Sequence, residues 1–380
     1  MFSFPSFLRE GIFECCSPAS LGQPEFLSQE QHISSRPESN LFESDSGNLK
    51  LYFQKWQSDR HRLVRAVVLI HHGETDHSAW YNPLAVRLAA FGCTSFAADA
   101  QGFGQSDGAR GYFESLEDLV EDFVKFAKAK GTEVLESQSQ VAGGRPPGFV
   151  FMGKGIGALV VMKAMLELQP FVLQETGIMP VIVLLSPGFQ FANFISDQSN
   201  VSCGLNSAQC ARQPVAQCAR APVAFTPAGD SGAHQKLEHM SQWFPKMIVT
   251  EPVDPDLVSR DPQIVDRMNR DALCWRQGYR ARVLAEIVHE QSTLAQTLEH
   301  NAEVFQHSPS LILHGSRDKL YSVAGSHSLH SVWCETVKTS GVFPRLKIYD
   351  GAFHQLLNEP NKDEVINDIA VFISSKVGSA

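Results

Sequence analysis

From Leu49 onward the chain alternates short apolar runs with amphipathic stretches. Ala66-Val67-Val68-Leu69-Ile70 is unbroken apolar sequence, as expected of a strand buried on both faces. Phe149-Val150-Phe151-Met152, Val181 to Leu185 and Leu311-Ile312-Leu313 read the same way. Leu51-Tyr52-Phe53, Thr94 to Ala98 and Leu346-Lys347-Ile348-Tyr349 are shorter strand-like runs. Helical spacings lie between them. Pro83 to Phe91 repeats apolar residues at Leu84, Val86, Leu88 and Ala89. Ser115 to Lys128 carries Leu116, Leu119, Val120, Phe123, Val124 and Ala127 on one face, and opens with the capping box Ser115-Leu116-Glu117-Asp118. Ala158 to Leu168 predicts a further helix after a glycine-rich turn. Strands alternating with helices predict an α/β fold, a mostly parallel central sheet with helices on both faces.

Two stretches break this rhythm. Residues 1–45 read as a polar, flexible leader, rich in Ser, Glu, Gln and Pro after an apolar start. The α/β core then runs over 46–189 and resumes over 309–380. Between the two parts, residues 190–308 read as an insertion. Pro255 to Glu303 predicts several helices there, with Arg260-Asp261-Pro262 opening one. Within the insertion, Gln209-Cys210-Ala211-Arg212-Gln213-Pro214-Val215-Ala216 is duplicated at once, with one change, as Gln217 to Ala224. Two copies make no solenoid, and residues 209–224 read as a flexible repeat.

Composition narrows the function classes. The chain has 380 residues, 43% hydrophobic and 19% charged, an ordinary globular balance. A net charge of −9 argues against a protein that grips nucleic acid along its surface. Phe is overused, 25 residues, which points to a generous apolar interior or an apolar ligand. The 8 cysteines are scattered, with no C-x-x-C and no zinc spacing, so a reduced, cytoplasmic protein without metal or cofactor is expected. No run of 18 apolar residues predicts a transmembrane helix, and the first residues lack a basic region and a cleavage site. Cys15-Cys16 behind Phe2, Phe4, Phe7 and Phe13 has two readings: an acylated anchor giving peripheral membrane contact, or a frayed end. The oligomeric state is open.

Candidate chemistry gathers where strands end, since a doubly wound sheet carries its functional loops at the carboxyl edge. His71-His72-Gly73-Glu74 follows the first buried strand, and a His-Gly turn there can present a backbone N–H to a reacting carbonyl. Gly153-Lys154-Gly155-Ile156-Gly157 is a sharp strand-to-helix turn. Asp318 and His354 follow the last two strands, in the acid-then-His order of α/β hydrolases.

With those motifs the chain resembles the α/β-hydrolase family, and more narrowly its monoacylglycerol lipase and lysophospholipase branch, the serine aminopeptidase S33 type. The resemblance runs from about Asn48 to Ser375 and includes the inserted cap. Besides the His72-Gly73 turn it rests on four stretches: Gly102 to Gly108, Leu184-Leu185-Ser186-Pro187, His314 to Leu320, and Lys347 to His354. It implies a Ser nucleophile at the strand-to-helix turn, Asp318 as acid, His354 as base, and an oxyanion hole from the backbone N–H groups of Glu74 and Ile156. Yet the turn reads Gly153-Lys154-Gly155-Ile156-Gly157, with Gly155 at the nucleophile position, and glycine cannot form an acyl-enzyme. The literal G-x-S-x-G at Gly104 to Gly108 lies outside a strand–turn–helix context, so Ser106 is not expected to act. Lys154 stands where the family often has His, and Glu74 where it usually has a small residue. The two are expected to pair and to fill part of the oxyanion region.

The resulting expectation is a catalytically impaired homologue that binds a small apolar or acyl-lipid ligand, or a partner. The alternative is a working enzyme on acyl esters such as monoacylglycerols or lysophospholipids. It would use His354 and Asp318 without a covalent step, or an unrecognised nucleophile at Ser186 or Ser78.

Overall fold

The buried apolar runs assemble into one sheet. The computed structural model describes residues 34–45, 48–57, 63–141, 145–192 and 231–377. Eight strands lie in the order β1-β2-β4-β3-β5-β6-β7-β8. They are β1 Ser34–Glu43, β2 Lys50–Gln57, β3 Ala66–His71, β4 Cys93–Ala98, β5 Gly148–Lys154, β6 Val181–Leu185, β7 Ser310–Gly315 and β8 Arg345–Tyr349. From β4 through β3 to β8 every pairing is parallel, whereas β1 and β2 join antiparallel at one edge. This is the mostly parallel α/β sheet expected from the strand–helix rhythm.

Nine helices surround the sheet among the described residues: α1 Asn82–Ala90, α2 Leu116–Ser139, α3 Ile156–Thr176, α4 Ser231–Trp243, α5 Pro262–Arg270, α6 Ala281–His300, α7 Ala302–Phe305, α8 Val323–Thr336 and α9 Lys362–Lys376. Alternate residues of β3 feed two cores. Val67 and Leu69 pack with α2 and α3, while Ala66, Val68 and Ile70 pack with α1 and α9. Helices α4 to α7 come from the insertion between β6 and β7. Asp261 caps α5 by accepting a hydrogen bond from the Gln263 N–H.

Two differences from the sequence reading have physical causes. The leader assigned to residues 1–45 ends in a strand, β1. Its Phe42 packs on Phe53 and Phe126 while Leu41 faces outward, an alternation that the polar neighbours obscured. Helix α2 runs on to Ser139, past Gly131, because Gly131 lets the Phe149 ring approach to 2.5 Å from where a Cβ would stand. The capping box at its start is present. Phenylalanines among the described residues pack in the core on the α2–α3 face, through contacts such as Phe123–Phe151 and Phe149–Phe171, which is the apolar interior that the Phe content pointed to. By composition α3 is long and apolar enough to cross a membrane. Here it is a core helix packed on β5, α2 and α6. The N-terminal apolar segment with Cys15-Cys16 and the duplicated octapeptide lie outside the described residues.

Because β3 to β8 run parallel, the loops after β3, β5, β7 and β8 meet at one edge. The turn after β5 has no room for a side chain at Gly157, where a Cβ would stand 2.5 Å from the carbonyls of both His71 and His72. Gly177, which ends α3 at φ +69°, has nothing within 4 Å of its Cβ position. Gly157→Ala should therefore cost on the order of 3 kcal/mol through overpacking. Gly177→Ala should cost about 1–2 kcal/mol, from backbone strain alone. Urea unfolding of the two variants checks the order.

Candidate active site

Asp318 follows β7 and is fastened by its own loop. The N–H groups of Leu320 and Tyr321 donate to its Oδ1 at 2.8 and 3.0 Å. Its Oδ2 faces His354 Nδ1 at 2.8 Å and His314 Nε2 at 3.2 Å. Burial works to raise the Asp318 pKa. The charge of His354 and hydrogen bonds from His314 and His354 outweigh burial and hold the carboxyl well below its usual range. His354 lies in the turn after β8 and is fully buried. With Nδ1 spent on Asp318, its Nε2 points the other way and has no hydrogen-bond partner among the described residues. An imidazole oriented by a carboxylate, with its far nitrogen unengaged, has the geometry of a general base.

The turn after β5 places Gly155 at the N-cap of α3, with φ +54° and ψ −123°. That backbone region favours glycine strongly, so Gly155 holds a sharp turn that would strain any other residue. Its carbonyl accepts from the Gly188 N–H at 2.9 Å, which ties the turn to the loop after β6.

The Glu74 side chain lies directly against this turn. A Cβ on Gly155 would stand 2.6 Å from Glu74 Oε2. Oε2 also accepts from the Ile156 N–H at 3.3 Å, at the positive end of α3. Oε1 accepts from two phenols, Tyr279 at 2.7 Å and Tyr321 at 2.5 Å. Burial first, and the Glu74 charge second, push both phenols well above their ordinary pKa, which keeps them as donors. The Ile156 N–H expected for an oxyanion hole is thus engaged by a side chain of the protein itself.

Lys154 does not pair with Glu74. Its ammonium lies 2.8 Å from Asp76 Oδ2, and both side chains are almost fully buried. The reason is local: Asp76 accepts the Gly73 N–H at 2.8 Å on its other oxygen, so the tight turn over 73–76 brings Asp76 beneath the elbow. Gln355 adds a third bond to Asp76 at 3.2 Å. The pair pins the loop from which Glu74 projects.

The other candidate serines are engaged elsewhere. Ser186 Oγ donates to the His354 carbonyl at 2.9 Å, Ser78 Oγ accepts from Gln54 at 3.0 Å, and Ser106 Oγ donates to the Asp99 carbonyl at 2.6 Å. Gly153 and Gly157 pack against each other across the turn, a Cβ on Gly153 meeting the Gly157 carbonyl at 2.2 Å. Sequence reasoning singled out neither Tyr279 nor Tyr321. Tyr321 lies three residues past Asp318, just beyond the quoted stretch His314 to Leu320. Tyr279 carried no signal, because only the folding of the insertion over the sheet edge brings it to Glu74. His77, Asp271 and Cys274 also converge, with His77 Nε2 3.0 Å from Asp271 Oδ2. Asp271 is already bonded by Trp80 and Leu273, and burial, then the Asp271 charge, push the Cys274 thiol far above its usual pKa. This junction fastens the insertion to the core loop and is no better suited to a metal than to its own hydrogen bonds.

Beside Glu74 lies a cavity of ≈ 10 Å³ lined by Phe103, Val253, Trp275, Tyr279 and Val283. That is about the room of one water molecule.

The family model for serine aminopeptidase S33 matches residues 63–361. The chain belongs to this family. It is a monoacylglycerol lipase-like α/β-hydrolase by its sequence relatives. The monoacylglycerol lipase of Mycolicibacterium smegmatis is 24% identical over 329 residues, 87% of this chain and 94% of that protein. Human monoglyceride lipase is 24% identical over 83% of this chain and 84% of its own length. Among solved structures, a soluble variant of monoglyceride lipase from Saccharomyces cerevisiae superposes with a TM-score of 0.67 at 15% identity, covering 90% of this chain and 96% of that one.

Two outcomes follow for the hydrolase-like site. Lys154→Met leaves Asp76 buried without its cation and should cost roughly 3–5 kcal/mol, measured by chemical denaturation. The second concerns His71, at the end of β3. Burial, then the neighbouring His72, push its imidazole down to about 3 from 6.5. Between those values the unfolded chain binds a proton that the folded chain refuses. Stability from this group is therefore fully present above pH 6.5 and is lost as pH falls below it, by up to about 1.4 kcal/mol per pH unit. Urea midpoints from pH 7 to 5 should fall in the wild type and flatten in His71→Asn.

Proposed function

We propose that this monoacylglycerol lipase-like homologue does not form an acyl-enzyme, and that Gly155 stands where the family's serine nucleophile would be. One observation carries the reading: the residue at the strand-to-helix turn has no side chain, and the Glu74 carboxylate packs against it. Two further features support it. The Ile156 N–H, which would steady a developing oxyanion, already serves Glu74. No described serine hydroxyl bonds to His354 Nε2. The neighbouring apolar lining of Phe103, Trp275 and Val283 has the chemistry of an acyl-chain contact, around a cavity of ≈ 10 Å³. On this reading the protein binds an acyl-lipid ligand or a partner in place of turning over an ester.

A second reading rests on His354. Its Nε2 is buried, oriented by Asp318 and unengaged, so it could activate water on an acyl ester such as a monoacylglycerol without a covalent step. Loss of monoacylglycerol turnover in His354→Ala, with no covalent adduct in the wild type, would favour it.

A fluorophosphonate probe tests the first reading. The wild type should stay unlabelled. Gly155→Ser alone should stay nearly unlabelled, because its Cβ would stand 2.6 Å from Glu74 Oε2. Gly155→Ser combined with Glu74→Ala frees the Ile156 N–H and should label at Ser in position 155. Labelling of any serine in the wild type would overturn the reading.

A further inference from the structure

The Glu74 carboxylate is held by three converging donors from three parts of the fold. Ile156 N–H comes from the start of α3, Tyr321 from the loop after β7, and Tyr279 from the insertion. None of the three is a cation, and together they match the two oxygens of one carboxylate: one donor on Oε2, two on Oε1. Beside them His354 Nε2 is buried and without a partner, and the His354 ring lies 5.7 Å from that of Tyr321. On another side, Glu74 and Tyr279 border the small cavity whose apolar lining includes Phe103, Trp275 and Val283.

We propose that Ile156 N–H, Tyr279 and Tyr321 form a recognition site for the carboxylate of a free fatty acid, which Glu74 fills in cis and which an external acyl carboxylate occupies when the Glu74 arm swings out. This deepens the reading that no acyl-serine forms here, and rests on it, by naming the ligand class of the same site. The physical argument is one of matched chemistry. Phenols that stay protonated, together with a helix N-terminus, bind an anion without needing a counter-cation. The apolar lining takes the first methylenes of the tail, and removing the Glu74 side chain makes space where the cavity now holds about one water. In the wild type an external carboxylate must displace an internal one, so binding is weaker than in a chain lacking the Glu74 carboxylate.

The test follows the melting temperature of Glu74→Ala, with Gly155 unchanged, against sodium octanoate and against octanol. Octanoate should raise it saturably, by about 2 °C or more, and octanol should not. Adding Tyr279→Phe and Tyr321→Phe should remove the response, and the wild type should need at least tenfold more octanoate. An octanoate response absent in Glu74→Ala, or equalled by octanol, or kept without both tyrosine hydroxyls, overturns the proposal. If Glu74→Ala does not fold, octanoate is titrated into the wild type and followed by Trp275 emission, assigned with Trp275→Phe. A saturable change lost in Tyr279→Phe/Tyr321→Phe supports the proposal, and no change overturns it. Neither readout involves a serine adduct, so the fluorophosphonate result stands or falls separately.

Discussion

The carboxylate of Glu74 is the point on which the site depends. Its two oxygens collect the N–H at the start of α3 and the hydroxyls of Tyr279 and Tyr321. Three segments far apart in sequence are thereby fixed against one another: the sheet edge, the loop that also carries Asp318, and the insertion. A buried carboxylate without donors would be costly, so these bonds and the closed cavity require each other. Beneath Glu74, the buried Lys154–Asp76 pair holds the tight turn that aims it. The arrangement keeps Lys154 and Glu74 apart: the lysine is held by Asp76 and the carboxylate by neutral donors.

Much of the fold was legible because its strands are buried on both faces. Runs such as Ala66 to Ile70 and Val181 to Leu185 admit few other placements, and the parallel order follows from the helices between them. Helix limits were less legible. Helix α2 continues past Gly131, which Phe149 packs against, a tertiary contact no local pattern records. Strand β1 was hidden because an edge strand with one wet face shows only weak alternation, here Leu41 against Phe42.

The site was legible in part, and for a different reason. Asp318, His354, Gly155, Glu74 and Ile156 sit at strand ends, where topology alone brings them to one edge. Their partners were not. Glu74 looked destined for Lys154 on charge alone, but loop geometry gives the lysine to Asp76 and leaves Glu74 to neutral donors. Tyr279 could not be foreseen, since its contact exists only once the insertion folds over the sheet. The lesson is that chain order reveals which residues meet, whereas hydrogen-bond partners depend on turns and caps that the order does not encode.

The account is most directly tested at the Ile156 amide. In protein selectively labelled with ¹⁵N-isoleucine, the Ile156 proton should resonate downfield and exchange slowly, as expected of an N–H donating to a buried carboxylate. In Glu74→Ala it should move upfield while the other isoleucine amides hold their positions. An Ile156 amide that is unshifted in the wild type, or unchanged on removing the Glu74 carboxylate, would contradict the claim that Glu74 engages the N–H at the start of α3.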